Sequence, residues 1–276
     1  MKITQLVDIQ NCERNLNIQG IMYIIHKLLL NQDGNMATIQ QKTINSHVML
    51  FDAEHFSAPL PKMFTGQYWQ TQDAITGQAT GRGTTYFFQH NKNEYVLRHY
   101  LRGGLIGKIL SDQYLYTGLK QSRAWQEFKL LQHMQTLDLP SPKPSAAMVT
   151  KRGLYYQANI ISTKIPNAQD LHQLLLEKKL LHDVWQKIGK IIAKFHNHQV
   201  YHHDLNIHNI MLDAEHGVWL IDFDKCGIKQ GENWKKSNMT RLKRSFEKEK
   251  RLRNIHCQPS DWQLLMSAYN KEAKAN

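Results

Sequence analysis

The segment 201–226, YHHDLNIHNIMLDAEHGVWLIDFDKC, gathers residue types suited to phosphoryl transfer. Asp204 and Asn209 stand close together in a stretch too broken for a regular helix. Val218, Trp219, Leu220 and Ile221 then form an apolar run that delivers Asp222 from a buried strand. Each residue type fits a part of the chemistry. The carboxylate of Asp204 can orient an attacking hydroxyl and accept its proton. Asn209 and Asp222 offer oxygen donors suited to Mg2+, the hard cation that neutralises a nucleotide's phosphates. The plain alternative is a capped turn followed by a core strand. Four residues in order, then a strand that ends on Asp, favour catalysis.

The order His202-His203-Asp204-Leu205, Asn209 and Asp222-Phe223 follows the protein-kinase catalytic loop and its metal-binding Asp-Phe-Gly. Kinases also need a phosphate-gripping hairpin and a strand cation upstream. Gly81, Arg82 and Gly83, followed by a β-branched and aromatic run, read as a hairpin turn whose backbone can approach ATP phosphates. The spacing from Gly77 is G-x-x-x-G-x-G rather than the kinase G-x-G-x-x-G, and an ordinary turn is the alternative. Residues 95–100 read as a strand carrying Arg98, where kinases place a lysine paired with a helix glutamate. Arginine binds phosphate bidentately and keeps its charge. The helix expected at 122–135 carries Glu127 as the partner, with Trp125, Phe128, Leu131 and Met134 on its apolar face. An exposed arginine and a solvated glutamate are the alternatives for this pair.

These elements predict an α+β, two-lobed protein-kinase-like fold. An N-lobe of antiparallel sheet plus helix spans 36–165, and a mostly helical C-lobe with the catalytic loop spans 166–276. Residues 1–35 read as a poorly ordered extension; their most apolar stretch, 18–30, is too short to cross a bilayer. Pro140, Pro142 and Pro144 end the helix. Residues 154–161 form a strand, and 162–168 connect the lobes. A short helix starts near 169. A longer one, 182–198, carries Val184, Trp185, Ile188, Ile191, Ile192 and Phe195 inward. The helical run 235–253 is strongly basic, with Met239, Leu242 and Phe246 along one face.

The chain of 276 residues carries a formal net charge of +12, which favours anionic partners. The run 235–253 is either a solvated helix or a surface facing anionic lipid. Three scattered cysteines make neither a disulfide framework nor a zinc spacing. Nor is there a basic–aromatic stacking pattern of the RNA-binding kind.

The motifs GRGTTYFF at 81–88, RHYLRGG at 98–104, LIDFDKCG at 220–227 and RLKRSFEKE at 241–249 resemble the 3-deoxy-D-manno-octulosonic acid (Kdo) kinases of the lipopolysaccharide kinase family. The resemblance runs from about residue 38 to near the C-terminus. It implies ATP-dependent phosphorylation of Kdo on Kdo-lipid IVA, in lipopolysaccharide inner core assembly, with the catalytic aspartate at Asp204. It implies a peripheral protein on the cytoplasmic side of the inner membrane, with a Kdo-lipid A precursor and an anionic membrane surface as partners. No nucleic acid and no protein partner are implied. Asp224 in place of the Asp-Phe-Gly glycine, and the lack of an A-P-E segment, point to a small hydroxyl substrate rather than a protein. A heptose or other small-molecule kinase is the near alternative. A non-catalytic basic kinase-like binding module is the distant one.

Overall fold

Two-residue periodicity in the first part of the chain builds a sheet with both faces covered. The computed structural model describes residues 39–80, 83–102 and 112–275. The expected extension at 1–35, Gly81, Arg82 and the glycines at 103–104 lie outside the described residues. Strands β1 (Ile39–Ile44), β2 (His47–Asp52), β3 (Ile75–Thr80), β4 (Thr84–His90), β5 (Asn93–His99), β6 (Tyr114–Leu115), β7 (Pro144–Arg152) and β8 (Tyr155–Thr163) form one sheet. Its order is β1-β2-β7-β8-β5-β4-β3, with β6 on β8. Every pairing is antiparallel.

Alternation sorts the side chains. Leu50, Ala147, Val149 and Ile160 enter one apolar cluster, while Met49, Phe51, Met148 and Ile161 enter another. The second cluster is sealed by the short helix α1 (Gly66–Thr71), whose Trp69 stacks on Phe88 at 3.9 Å. The first is covered by α2 (Arg123–Thr136), which buries Trp125, Phe128, Leu131 and Met134, the face its periodicity predicts. Each such side chain contributes about 1.5–3 kcal/mol on burial. On β5 the same alternation sends Tyr95 and Leu97 to the second cluster and turns Arg98 towards α2.

From residue 169 the chain is mostly helical. It runs β9 (Gln169–Asp170), α3 (Leu171–Glu177), α4 (His182–Asn197), β10 (Val200–Tyr201), β11 (Ile210–Leu212), β12 (Val218–Leu220), β13 (Gly227–Ile228), α5 (Asn233–Arg253) and α6 (Pro259–Ala273). α4 buries Val184, Trp185, Ile188, Ile192 and Phe195. It lies so close to α6 that a Cβ on Gly189 would sit 2.1 Å from the Leu265 carbonyl oxygen. That approach explains a glycine in mid-helix, where it otherwise costs about 1 kcal/mol relative to alanine.

Two of the boundaries that differ from the expectation have a clear cause. Ser162 and Thr163 belong to β8, because Val96 and Tyr95 offer them ladder partners, so the connector starts later. The helix expected near 169 starts at Leu171, because Gln169–Asp170 pairs with β11 and Asp170 caps the helix by accepting from the Gln173 amide at 3.0 Å. No described helix is long and apolar enough to cross a membrane.

Candidate active site

The segment 201–226 is held at several points. β10 pairs with β13, which ties the start of the loop to the stretch after Asp224. β11 pairs with β12, and the Ile221 amide donates to the Asn209 carbonyl at 3.0 Å. This closes the strand pair and sets Asn209 close to Asp222 in space. His202 is buried and makes two backbone contacts. Its Nε2 is 2.9 Å from the Ile221 carbonyl, and its Nδ1 is 3.2 Å from the Asp204 amide. Burial lowers its pKa, so it serves as a neutral imidazole that donates through Nε2 and accepts through Nδ1. One ring thus fixes the backbone before both aspartates. Phe223 locks the turn by stacking on Phe195 at 5.8 Å. Asp222 has a left-handed φ of 61°, a conformation that aspartate adopts more readily than most residues with a side chain.

Gly83, Arg98, Asp204 and Asp222 line a single cleft of about 820 Å³, within the range of ligand sites. A Cβ on Gly83 would meet Leu101 Cδ1 at 2.3 Å, so glycine lets the backbone at 83 pack against Leu101 at the edge of this cleft. Gly81 and Arg82 lie outside the described residues. Behind the wall, Arg98 joins two carboxylates that are far apart in sequence. Its Nη2 donates to both Glu127 oxygens at 2.6 and 2.5 Å, and its Nη1 pairs with Asp222. Tyr100 Oη donates to Glu127 Oε2 at 2.5 Å. Burial alone would disfavour the Arg98 charge, but Glu127 and Asp222 outweigh it and push its pKa well above the usual value. Burial would raise Asp222 too, but Arg98 holds it below the usual carboxylate range. At Glu127 burial wins, helped by Asp222 and Asp224, and pushes the carboxyl up to about 7 despite Arg98.

Asn209 sits behind the loop, largely buried. Its Nδ2 donates to the Asp204 carbonyl at 2.9 Å, which leaves its amide oxygen as the atom suited to a cation. With Asp222 this is an all-oxygen donor set that fits Mg2+. Cys226 is nearby, but burial, with the surrounding carboxylates, pushes its thiol pKa up, so it is not a poised thiolate.

Several functional groups escaped the sequence reading. Arg123 pairs with Asp224, and its guanidinium lies 5.2 Å from the Tyr100 ring centroid and 4.8 Å from that of Tyr114. Arg102, which the sequence placed in a second basic loop after the Arg98 strand without a role at the site, lies over Tyr114 at 5.0 Å. Both line the cleft. Arg123 had a signal, since it precedes Glu127 by four residues and so shares its helix face. The larger omission is α5. Asn238 donates to and accepts from the His202 backbone at 3.0 and 3.3 Å. Arg241 donates to Asp204 Oδ1 at 2.8 Å, and Ser245 Oγ accepts from the Ile207 amide at 3.1 Å. The buried Glu249 approaches His172 at 3.2 Å and His208 at 3.7 Å. These residues recur at helical spacing, so one stripe of α5 runs along the loop. The reading of 235–253 as a basic surface covers only the remaining faces.

A profile of the lipopolysaccharide kinase (Kdo/WaaP) family matches residues 66–269. A Vibrio vulnificus (strain YJ016) protein named 3-deoxy-D-manno-octulosonic acid kinase is 44% identical over 234 residues, covering 85% of this chain and 99% of that protein. A Vibrio parahaemolyticus protein of the same name is 47% identical over 230 residues, covering 83% and 97%. One from Haemophilus influenzae (strain PittEE) is 44% identical over 241 residues, covering 84% and 100%.

Proposed function

We propose a reaction for this chain, which belongs to the lipopolysaccharide kinase (Kdo/WaaP) family: transfer of the γ-phosphoryl group of ATP to a Kdo hydroxyl on Kdo-lipid IVA, in lipopolysaccharide inner core assembly. The chain is a phosphotransferase acting on a sugar hydroxyl. The observation that carries the finer reading is the cleft itself. It brings Arg98 to Asp222 across 124 residues of sequence, with Asp204 on the same wall. The finer reading of the fold is two-lobed and kinase-like, with the sheet part at 36–165 and the helical part at 166–276.

In this mechanism the acceptor hydroxyl gives its proton to Asp204 as its oxygen bonds to the γ-phosphorus. The bond from that phosphorus to the β–γ bridging oxygen breaks, and ADP leaves. Arg98 binds nucleotide phosphate and is aimed by Glu127, and Arg102 and Arg123 add positive charge to the same wall. Asn209 and Asp222 would hold Mg2+, which supplies charge neutralisation on the phosphates. The glycines at 81 and 83, with Arg82, would cover the phosphates.

The acceptor is a lipid, so attachment to an anionic membrane surface on the cytoplasmic side completes the reading. Lys236, Lys243, Arg244, Lys248 and Arg251 are exposed on α5. Basic residues beside an anionic leaflet contribute about 1 kcal/mol each. Two measurements test the proposal. Labelled phosphate from ATP should appear on Kdo-lipid IVA but not on acceptors lacking Kdo. Asp204→Asn should cut turnover on the order of 10²–10⁴-fold; a folded variant with near-normal turnover removes Asp204 as the base.

A further inference from the structure

The base of this mechanism is already engaged. Arg241 Nη1 lies 2.8 Å from Asp204 Oδ1, and neither residue has another ion pair among the described residues. The pair is open to solvent, with side chains 46% and 52% exposed, and exposed ion pairs are among the weakest in folded proteins. An incoming anion can therefore displace Asp204 from Arg241 at little cost. The guanidinium itself is held ready. One helical turn before it, Asn238 grips the His202 backbone, and one turn after it, Ser245 grips the Ile207 amide. The backbone of α5 is thus fixed on both sides of Arg241.

Position separates Arg241 from the other arginines near the site. Arg98, Arg102 and Arg123 line the cleft; Arg241 does not, although Asp204 does. An acceptor whose hydroxyl reaches Asp204 therefore also comes within reach of Arg241, which lies outside the lining that holds the phosphate-directed cations. The relatives are named for a sugar acid, and a planar guanidinium matches a carboxylate bidentately.

We infer that Arg241 binds the carboxylate of the acceptor sugar, and that this exchange releases Asp204 Oδ1 to receive the hydroxyl proton. The inference rests on the reading of Asp204 as the base. It makes Arg241 both a specificity residue and a guard. Without an acidic acceptor the base stays paired, and hydroxyls of neutral sugars or water meet an occupied carboxylate.

The test is steady-state kinetics of the wild type, Arg241→Gln and Arg241→Lys. Each is measured on Kdo-lipid IVA and on the same lipid with the Kdo carboxyl esterified. The wild type should prefer the acid by about 10- to 100-fold in kcat/KM, the range for a hydrogen bond to a charged group. Arg241→Gln should lose that preference through a raised acceptor KM, with the nucleotide KM unchanged. Arg241→Lys should recover part of it. A wild-type preference retained by Arg241→Gln overturns the inference. So does an equal fall in kcat on both lipids, which marks a residue that only positions Asp204. A change confined to the nucleotide KM overturns it as well and moves Arg241 to the phosphate. Failure of the base reading shows separately, as normal turnover in Asp204→Asn, while the preference for acid over ester still reports on Arg241.

Discussion

Replacing Glu127 with glutamine should remove a loss of stability between pH 5 and pH 8 and lower activity at once. Glu127 is 5% exposed and is held by Arg98 on β5 and by the Tyr100 hydroxyl, with Asp222 and Asp224 facing it from beyond Arg98. Burial and those two carboxylates push its pKa from 4.5 up to about 7. A carboxyl whose folded pKa is raised binds more protons folded than unfolded between the two values, so its contribution to stability falls as pH rises across that window. From pH 5 to pH 8 the loss through this one group is about 2.5 kcal/mol, at 1.36 kcal/mol per pKa unit. Glutamine keeps an acceptor for Arg98 and for Tyr100 and carries no charge. Urea denaturation of wild type and Glu127→Gln at pH 5, 6, 7 and 8 isolates the group, because all other titrations cancel in the difference. The variant should gain about 2–3 kcal/mol on the wild type between pH 5 and pH 8. Its phosphate transfer should fall, because a neutral amide with one acceptor oxygen holds Arg98 less firmly than the carboxylate, and Arg98 is drawn towards Asp222. A stability difference flat with pH would refute the account of Glu127. Unchanged nucleotide KM and kcat would remove the Arg98–Glu127 pair from the site.

Other outcomes follow from single contacts. His196 is buried, 2.7 Å from the Tyr269 hydroxyl, and burial together with Lys235 lowers its pKa to about 3. Its folded pKa lies below the unfolded value, so stability is lost as pH falls below about 6.5: roughly 2 kcal/mol between pH 7 and pH 5, which His196→Asn should abolish in acid denaturation. Gly189→Ala puts a Cβ against the Leu265 carbonyl oxygen at 2.1 Å; overpacking of about 1–3 kcal/mol should outweigh the gain in helix propensity and lower the Tm. Asp222→Ala should raise the Mg2+ needed for half-maximal transfer far more than it raises the acceptor KM, and identical metal titrations would exclude Asp222 as a ligand. Neutralising Lys243, Arg244, Lys248 and Arg251 together should release the protein from anionic vesicles at low salt. Retention equal to the wild type would leave acceptor contact alone to localise it.

What the sequence determined is what local spacing encodes. The apolar periodicity of α2 and α4, the β-branched and aromatic run of β4, and the order His202, Asp204, Asn209, Asp222 are short-range patterns. A chain that forms a helix or a strand presents those residues on one face whatever lies elsewhere. The Arg98–Glu127 pair was readable for a similar reason, since a strand followed by a helix that covers it brings the two into reach. The edges of elements were less legible, as at Ser162 and Leu171, because ladder partners and caps come from other segments. Tertiary packing alone decided the rest. Arg98 meets Asp222 across 124 residues, Arg123 meets Asp224 across 101, and Arg241 meets Asp204 across 37. None of these distances leaves a trace in composition or periodicity. On α5 the sequence offered nine basic residues among 235–253 and no means of ranking them. A basic side chain on an amphipathic helix looks the same whether it faces water, lipid or a carboxylate. Only the way the helix lies along the segment 202–209, fixed by Asn238 and Ser245, selects Arg241 from that set.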